Sequence, residues 1–86
     1  MLITETFITK ARHKSVPGGA PRELLHVMAA AADAGHPQGT IDDWTARMPE
    51  ANRQQTTKAL ERLVSGGCAA KDWDATRYLW VYRVTL

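Results

Sequence analysis

The chain has 86 residues, 44% hydrophobic and 23% charged, with a formal net charge of +2. That balance excludes a disordered chain, and the length allows one modest core in one domain. A single cysteine, Cys68, excludes an internal disulfide, and no apolar run reaches membrane-spanning length.

With no signal-peptide pattern at its start, the chain is expected in the cytoplasm. Its charge is unevenly spread. Residues 1–22 carry Lys10, Arg12, Lys14 and Arg22 against Glu5. Residues 23–50 carry Arg47 against Glu23, Asp33, Asp42, Asp43 and Glu50. Residues 51–86 return to an excess of cations, with Arg53, Lys58, Arg62, Lys71, Arg77 and Arg83 against Glu61, Asp72 and Asp74. An acidic scaffold followed by a basic segment suits a protein that presents one face to a polyanion.

Leu2–Lys10 is rich in isoleucine and threonine, which favours a strand, although its alternation is imperfect and a helical turn also fits. The basic cluster Lys10–Lys14 fits a solvated loop or an arm touching phosphate. Ser15–Ala20 is a linker by composition. Residues 1–20 are thus expected to be a strand or arm plus a linker, and residues 21–86 the domain proper. Pro21 suits the first turn of a helix, with Glu23 near its positive end. Leu24, Leu25, Met28, Ala31 and Ala32 form its apolar stripe, and Gly35 ends it.

Thr40–Gly67 carries the most information. Thr40 and Asp43 have capping-box spacing, and Ile41, Trp44 and Met48 fall on one helix face that Pro49 closes. A two-residue turn is expected next. Asn52 and Gln55 repeat the capping box, Thr56, Ala59, Leu60, Leu63 and Val64 face inward, and Gly66 and Gly67 stop the helix. Gln54, Thr57, Lys58, Glu61 and Ser65 then point outward, with Arg62 on the flank and Arg53 in the exposed first turn. Arg, Gln, Thr and Lys are side chains that bond base edges and phosphates in the major groove. An ordinary solvated helix face is the plain alternative; the short first helix, the tight turn and the double glycine before a strand favour a helix-turn-helix.

Cys68–Asp72 begins a strand, Trp73–Thr76 is the expected hairpin tip, and Arg77–Leu86 is the clearest strand in the chain. Tyr78, Trp80, Tyr82, Val84 and Leu86 share one face, with Leu79 and Val81 on the other. Both faces are largely apolar, so one packs on the helices and the other needs cover, which a docked N-terminal strand or a second copy in a homodimer would supply. The expected core is Leu24, Met28, Ile41, Trp44, Leu60, Leu63 and Val64, joined by Leu79 or Trp80.

Helix, short strand near Thr40, helix, helix and hairpin resemble the winged helix-turn-helix regulators of the MarR-like and GntR-like kind. The resemblance spans about residues 21–83. It is carried by NRQQTTKALERLVSGG, then Cys68, Ala69, Ala70 and Lys71 where those proteins place the first wing strand. It implies an α+β winged helix of three helices with a C-terminal β-hairpin, and room for an extra N-terminal strand. It implies double-stranded DNA as the partner, with residues 52–65 as recognition helix. Contacts fall on Asn52, Arg53, Gln54, Thr57 and Lys58, with Arg62 beside them and Arg77 in the wing. A homodimer of this kind reads half-sites about one helical turn apart.

No catalytic machinery is legible. There is no phosphate-binding glycine loop, no nucleophile elbow and no metal-ligand spacing, so no cofactor, metal or enzymatic activity is expected. His26 and His36 read as surface or packing residues. Asp42 and Asp43 serve a helix N-terminus, and Cys68 reads as a small buried apolar residue. Two classes of function remain. The first is a small DNA-binding transcriptional regulator of the size common in phages and other mobile elements. The second is a winged-helix protein-interaction module that does not bind DNA, which the modest net charge and the acids Asp72 and Asp74 near the hairpin tip suit.

Overall fold

Helix α1 (Phe7–Arg12) opens the computed structural model, which describes residues 6–86. Thr6 caps it by accepting from the Thr9 amide at 3.1 Å. The Phe7 and Ile8 amides donate to the Asp33 carboxylate at 2.8 and 3.1 Å. A distant carboxylate thus satisfies the helix's free donors at its positive end. The strand expected over Leu2–Lys10 is therefore corrected to helix from Phe7 onward, while its first residues lie outside the described part. Lys10 and Arg12 occupy the last turn, where cations are favoured, rather than a loop. Ala11 enters the core, and Phe7 and Ile8 pack against it.

Helix α2 (Ala20–Asp33) follows, with Pro21 in its first turn. It buries Leu24, Leu25, Met28, Ala29 and Ala31 and half-buries Ala32. Gly35, at φ 89°, reverses the chain so that the His36 amide reaches the Ala31 carbonyl at 2.8 Å. Strand β1 (Gln38–Gly39) stands where a short strand was expected.

Helix α3 (Ile41–Ala46) has the Thr40–Asp43 capping box, with bonds of 2.9 and 3.1 Å. It stops earlier than the apolar spacing implied. The residue before a proline resists the helical conformation, so Met48 leaves the helix and is buried instead. The connection from Arg47 to Asn52 is consequently longer than the expected two-residue turn, and the Ala51 amide closes it on the Met48 carbonyl at 3.0 Å. Helix α4 (Arg53–Ser65) begins with the Asn52–Gln55 box, at 2.8 and 2.9 Å. It ends where Gly67, at φ 76°, turns the chain and the Cys68 amide meets the Leu63 carbonyl at 2.9 Å. Cys68 is buried, as its setting implied.

Strands β2 (Ala69–Asp74) and β3 (Leu79–Val84) form an antiparallel hairpin, and β1 pairs on the other edge of β3, giving the order β1-β3-β2. The hairpin tip is Ala75–Tyr78, not Trp73–Thr76. The Asp74 carboxylate accepts from the Thr76 and Arg77 amides at 3.0 and 3.2 Å, which sets the turn two residues later. Arg77 and Tyr78 therefore sit in the turn and not in the strand.

The result is an α+β arrangement of four helices, among the described residues, and a three-stranded antiparallel sheet. Trp44, Leu24, Leu25, Met28, Leu60 and Leu63 lie at its centre, each 1% exposed or less. Ile41 and Val64 pack at the edge of that core. Leu79 and Trp80 do not join it; they are 42% and 47% exposed because the hairpin extends past the helices. Tyr82 and Val84 supply the strand's share instead.

Gly39 is fixed by a close approach. A Cβ there would lie 2.8 Å from the buried Trp44 ring. Gly39→Ala is expected to destabilise the fold by about 1–3 kcal/mol through overpacking, read as a lower urea midpoint. An unchanged midpoint would show that β1 can move away from Trp44.

Candidate nucleic-acid interface

The inward and outward faces of α4 divide cleanly. Thr56, Ala59, Leu60 and Leu63 are buried, which fixes the helix's rotation and leaves Arg53, Gln54, Lys58 and Glu61 exposed. With Thr57 these residues line one shallow, open strip. Four of the residues expected to touch DNA are thereby brought together: Arg53, Gln54, Thr57 and Lys58.

Their chemistry differs. Arg53 occupies the first position of α4, and the first turn holds no acid, unlike those of α2 and α3. A cation at the positive end of a helix opposes the usual preference. It is balanced by Asp42 of α3, whose carboxylate accepts from Arg53 Nε at 2.9 Å. Both side chains are well exposed, so the pair contributes only about 0–1 kcal/mol. The Thr57 hydroxyl donates to the Arg53 carbonyl at 2.8 Å, so its oxygen is left to act toward a ligand as an acceptor only. Asn52 does not line the strip. Its side-chain oxygen accepts from the Gln55 amide as the helix cap, which leaves its amide nitrogen the freer group.

Arg62 and Arg77 lie elsewhere. Arg62 is on a different face of α4, beside Val16, Pro17 and Cys68. Arg77 is tied within the hairpin turn, Nε to the Asp74 carboxylate at 2.8 Å. That hydrogen bond holds the Asp74 carboxyl below its ordinary value and raises the Arg77 guanidinium. Asp72 is likewise paired, with Arg83 at 2.8 Å. The two acids near the hairpin tip are thus each matched by an arginine, and the tip carries little net charge.

No family model, curated protein or solved structure matches this chain. Among the described residues no group of histidine, cysteine and carboxylate side chains is arranged to hold a metal ion. No helix there is long and apolar enough to cross a membrane.

Tyr78 and Trp80 were expected on one apolar strand face, but their association with Trp73 was not. Trp73 and Trp80 are paired across the hairpin, with ring centres 5.2 Å apart, and Tyr78 packs edge-on against Trp73 at 6.5 Å. The Lys71 ammonium lies 4.5 Å above the Trp80 ring. Moving the hairpin tip by two residues, as the Asp74 turn demands, places Trp73 opposite Trp80. The signal was therefore the Asp at the start of the turn, not the aromatics themselves.

Proposed function

We propose that the chain is a small winged helix-turn-helix regulator that binds double-stranded DNA sequence-specifically, with α4 as its recognition helix. The carrying observation is the open strip that Arg53, Gln54, Thr57 and Lys58 share with Glu61 on a helix whose opposite face is locked into the core. The order of elements supports the reading, since α3 and α4 supply the helix-turn-helix and β2–β3 the wing. In it, Arg53 faces a guanine edge with its terminal amines while Nε stays with Asp42. Gln54 pairs with adenine, Thr57 meets a base edge, and Lys58 neutralises a phosphate.

A second reading has its own observation. The exposed aromatics and internally paired charges of the hairpin suit a protein partner, and with it an interaction module that does not bind DNA. Salt separates the two. Binding of the chain to random duplex DNA should weaken steeply as salt rises.

Within the DNA reading, Lys58→Ala should weaken binding to all sequences about equally and reduce the salt slope by about one unit. Arg53→Ala should cost about 1–3 kcal/mol on a duplex selected from a random pool and relax preference at one position. If both folded variants bind selected and random duplexes as the parent does, α4 is not the reading head and the protein-partner reading takes its place.

A further inference from the structure

Trp73 and Trp80 are cross-strand partners and so share one face of the hairpin, with Lys71, two residues before Trp73, on the same face. Tyr78, in the turn, packs against Trp73. The three rings meet edge to face and not stacked flat, and they remain 49%, 47% and 77% exposed at Trp73, Trp80 and Tyr78. All three line a cleft of about 250 Å³ whose helical side is Ile41, Asp42 and Arg53. Tyr78 is held there against its own preference. Its backbone has φ 55°, where glycine or asparagine is usual, and so exposed a ring recovers little by burial. A strained, exposed aromatic beside a hollow points to a ring kept for a ligand.

Charge and size narrow the kind of ligand. The Lys71 ammonium sits 4.5 Å above the Trp80 ring and forms no ion pair among the described residues, although Glu61 shares a hollow with it. Arg53 meets Asp42 through Nε, which leaves its terminal amines for a phosphate. The acids nearest the cleft are occupied, Asp42 by Arg53, Asp74 by Arg77 and Asp43 by the α3 cap. The unmatched charge beside the rings is therefore positive. Three rings are far fewer side chains than the roughly 20–30 residues a side of a specific protein interface. A stacked base needs only one ring face, and any base will do because every base has a π-face. Exposed ring faces flanked by cations are the two parts of a site for single-stranded nucleic acid.

We propose that the hairpin cleft is a stacking site for unpaired bases of single-stranded DNA, with Trp73, Tyr78 and Trp80 against the bases and Lys71 and Arg53 toward the phosphates. Because Arg53 lines both the cleft and the strip on α4, the unpaired stretch adjoins the duplex that α4 holds. The chain then favours a duplex flanked by a single strand over a blunt one. This second part rests on the DNA reading above; the first does not.

The test is the anisotropy of labelled DNA titrated with the full chain at low salt. The probes are an oligothymidylate strand about twelve nucleotides long, a blunt duplex of random sequence, and that duplex with an oligothymidylate tail of either polarity. The single strand should bind. Tyr78→Gly and Trp80→Ala should each weaken it at least about fivefold, as loss of one stacked base does, and leave the affinity for blunt duplex at the parent's value. Glycine suits the backbone at position 78, so that variant should melt no lower than the parent, and lost binding cannot be lost fold. A tail of one polarity should tighten duplex binding by the parent and not by Tyr78→Gly. A parent that leaves the strand unbound, or variants that bind it as the parent does, overturn the stacking site. An equal loss on the blunt duplex overturns it too, since the rings would then serve paired DNA. Oligouridylate bound more tightly than oligothymidylate overturns DNA as the strand. Tails without effect, where strand and duplex both bind, overturn the adjacency. A blunt duplex left unbound beside a strand that binds through Tyr78 overturns the reading of α4 and the adjacency with it, and supports the stacking site.

Discussion

Trp44→Ala should cost about 3–5 kcal/mol of folding stability, the larger part of what this chain has to lose. At about 0.05–0.15 kcal/mol per residue, a domain of this size holds only roughly 4–13 kcal/mol. Trp44 is 1% exposed and joins three elements. Its ring fills the space that Gly39 leaves open, its helix is α3, and its Nε1 donates to the Tyr82 carbonyl of β3 at 3.2 Å. Truncation opens a cavity and leaves that carbonyl without its indole donor, and the second effect adds to the first. Trp80→Ala is the matched control, since Trp80 is 47% exposed and outside the core. Urea unfolding of both variants should separate them by several-fold in cost. Equal costs would mean that the sheet does not depend on α3.

What could be read in advance was local. Both capping boxes are written within four consecutive residues, Thr40–Asp43 and Asn52–Gln55, and both form. The buried stripes of α2 and α4 follow from helical spacing alone, because a helix repeats its face every few residues whatever it packs against. What could not be read depended on distant partners. Phe7–Arg12 has a local cap in Thr6, but its first two amides are received by Asp33, at the far end of α2. No pattern within Leu2–Lys10 contains that carboxylate. Leu79 and Trp80 look like core residues by composition, yet their exposure is decided by how far the hairpin extends beyond the helices. Tyr82 and Val84, nearer the base of the same strand, meet the helices instead.

The strip on α4 was legible for the same reason that the stripe beneath it was. Once Thr56, Ala59, Leu60 and Leu63 are buried, Arg53, Gln54, Lys58 and Glu61 have nowhere to point but outward. Arg62 was the exception in grouping. It is exposed too, but one helix surface has more than one outward direction, and the loop at Val16 and Pro17 claims its side. Arg77 failed for another reason. A hairpin cation is available to a phosphate only if the turn does not use it, and Asp74 does.

Leu60→Ala is the second change with a large expected effect, about 2–5 kcal/mol. Leu60 is fully buried on the inward face of α4 and belongs to the cluster that includes Leu24, Leu25 and Met28 of α2. Removing it empties the contact that fixes the rotation of α4, and with it the direction of Arg53, Gln54 and Lys58. For a domain of this size each kcal/mol lowers the melting midpoint by roughly 4–8 °C, so the variant should melt well below the parent and below Lys58→Ala. The two variants also separate presentation from contact. Lys58→Ala should leave the midpoint nearly unchanged and lower the salt slope of DNA binding. Leu60→Ala should lower the apparent affinity in proportion to the folded fraction, and keep the parent's salt slope where it is still folded. If Leu60→Ala melts like the parent, α4 is not held by this contact. If it melts early yet binds duplex undiminished under conditions where it is mostly unfolded, the DNA affinity comes from flexible cations and not from the strip that the fold presents.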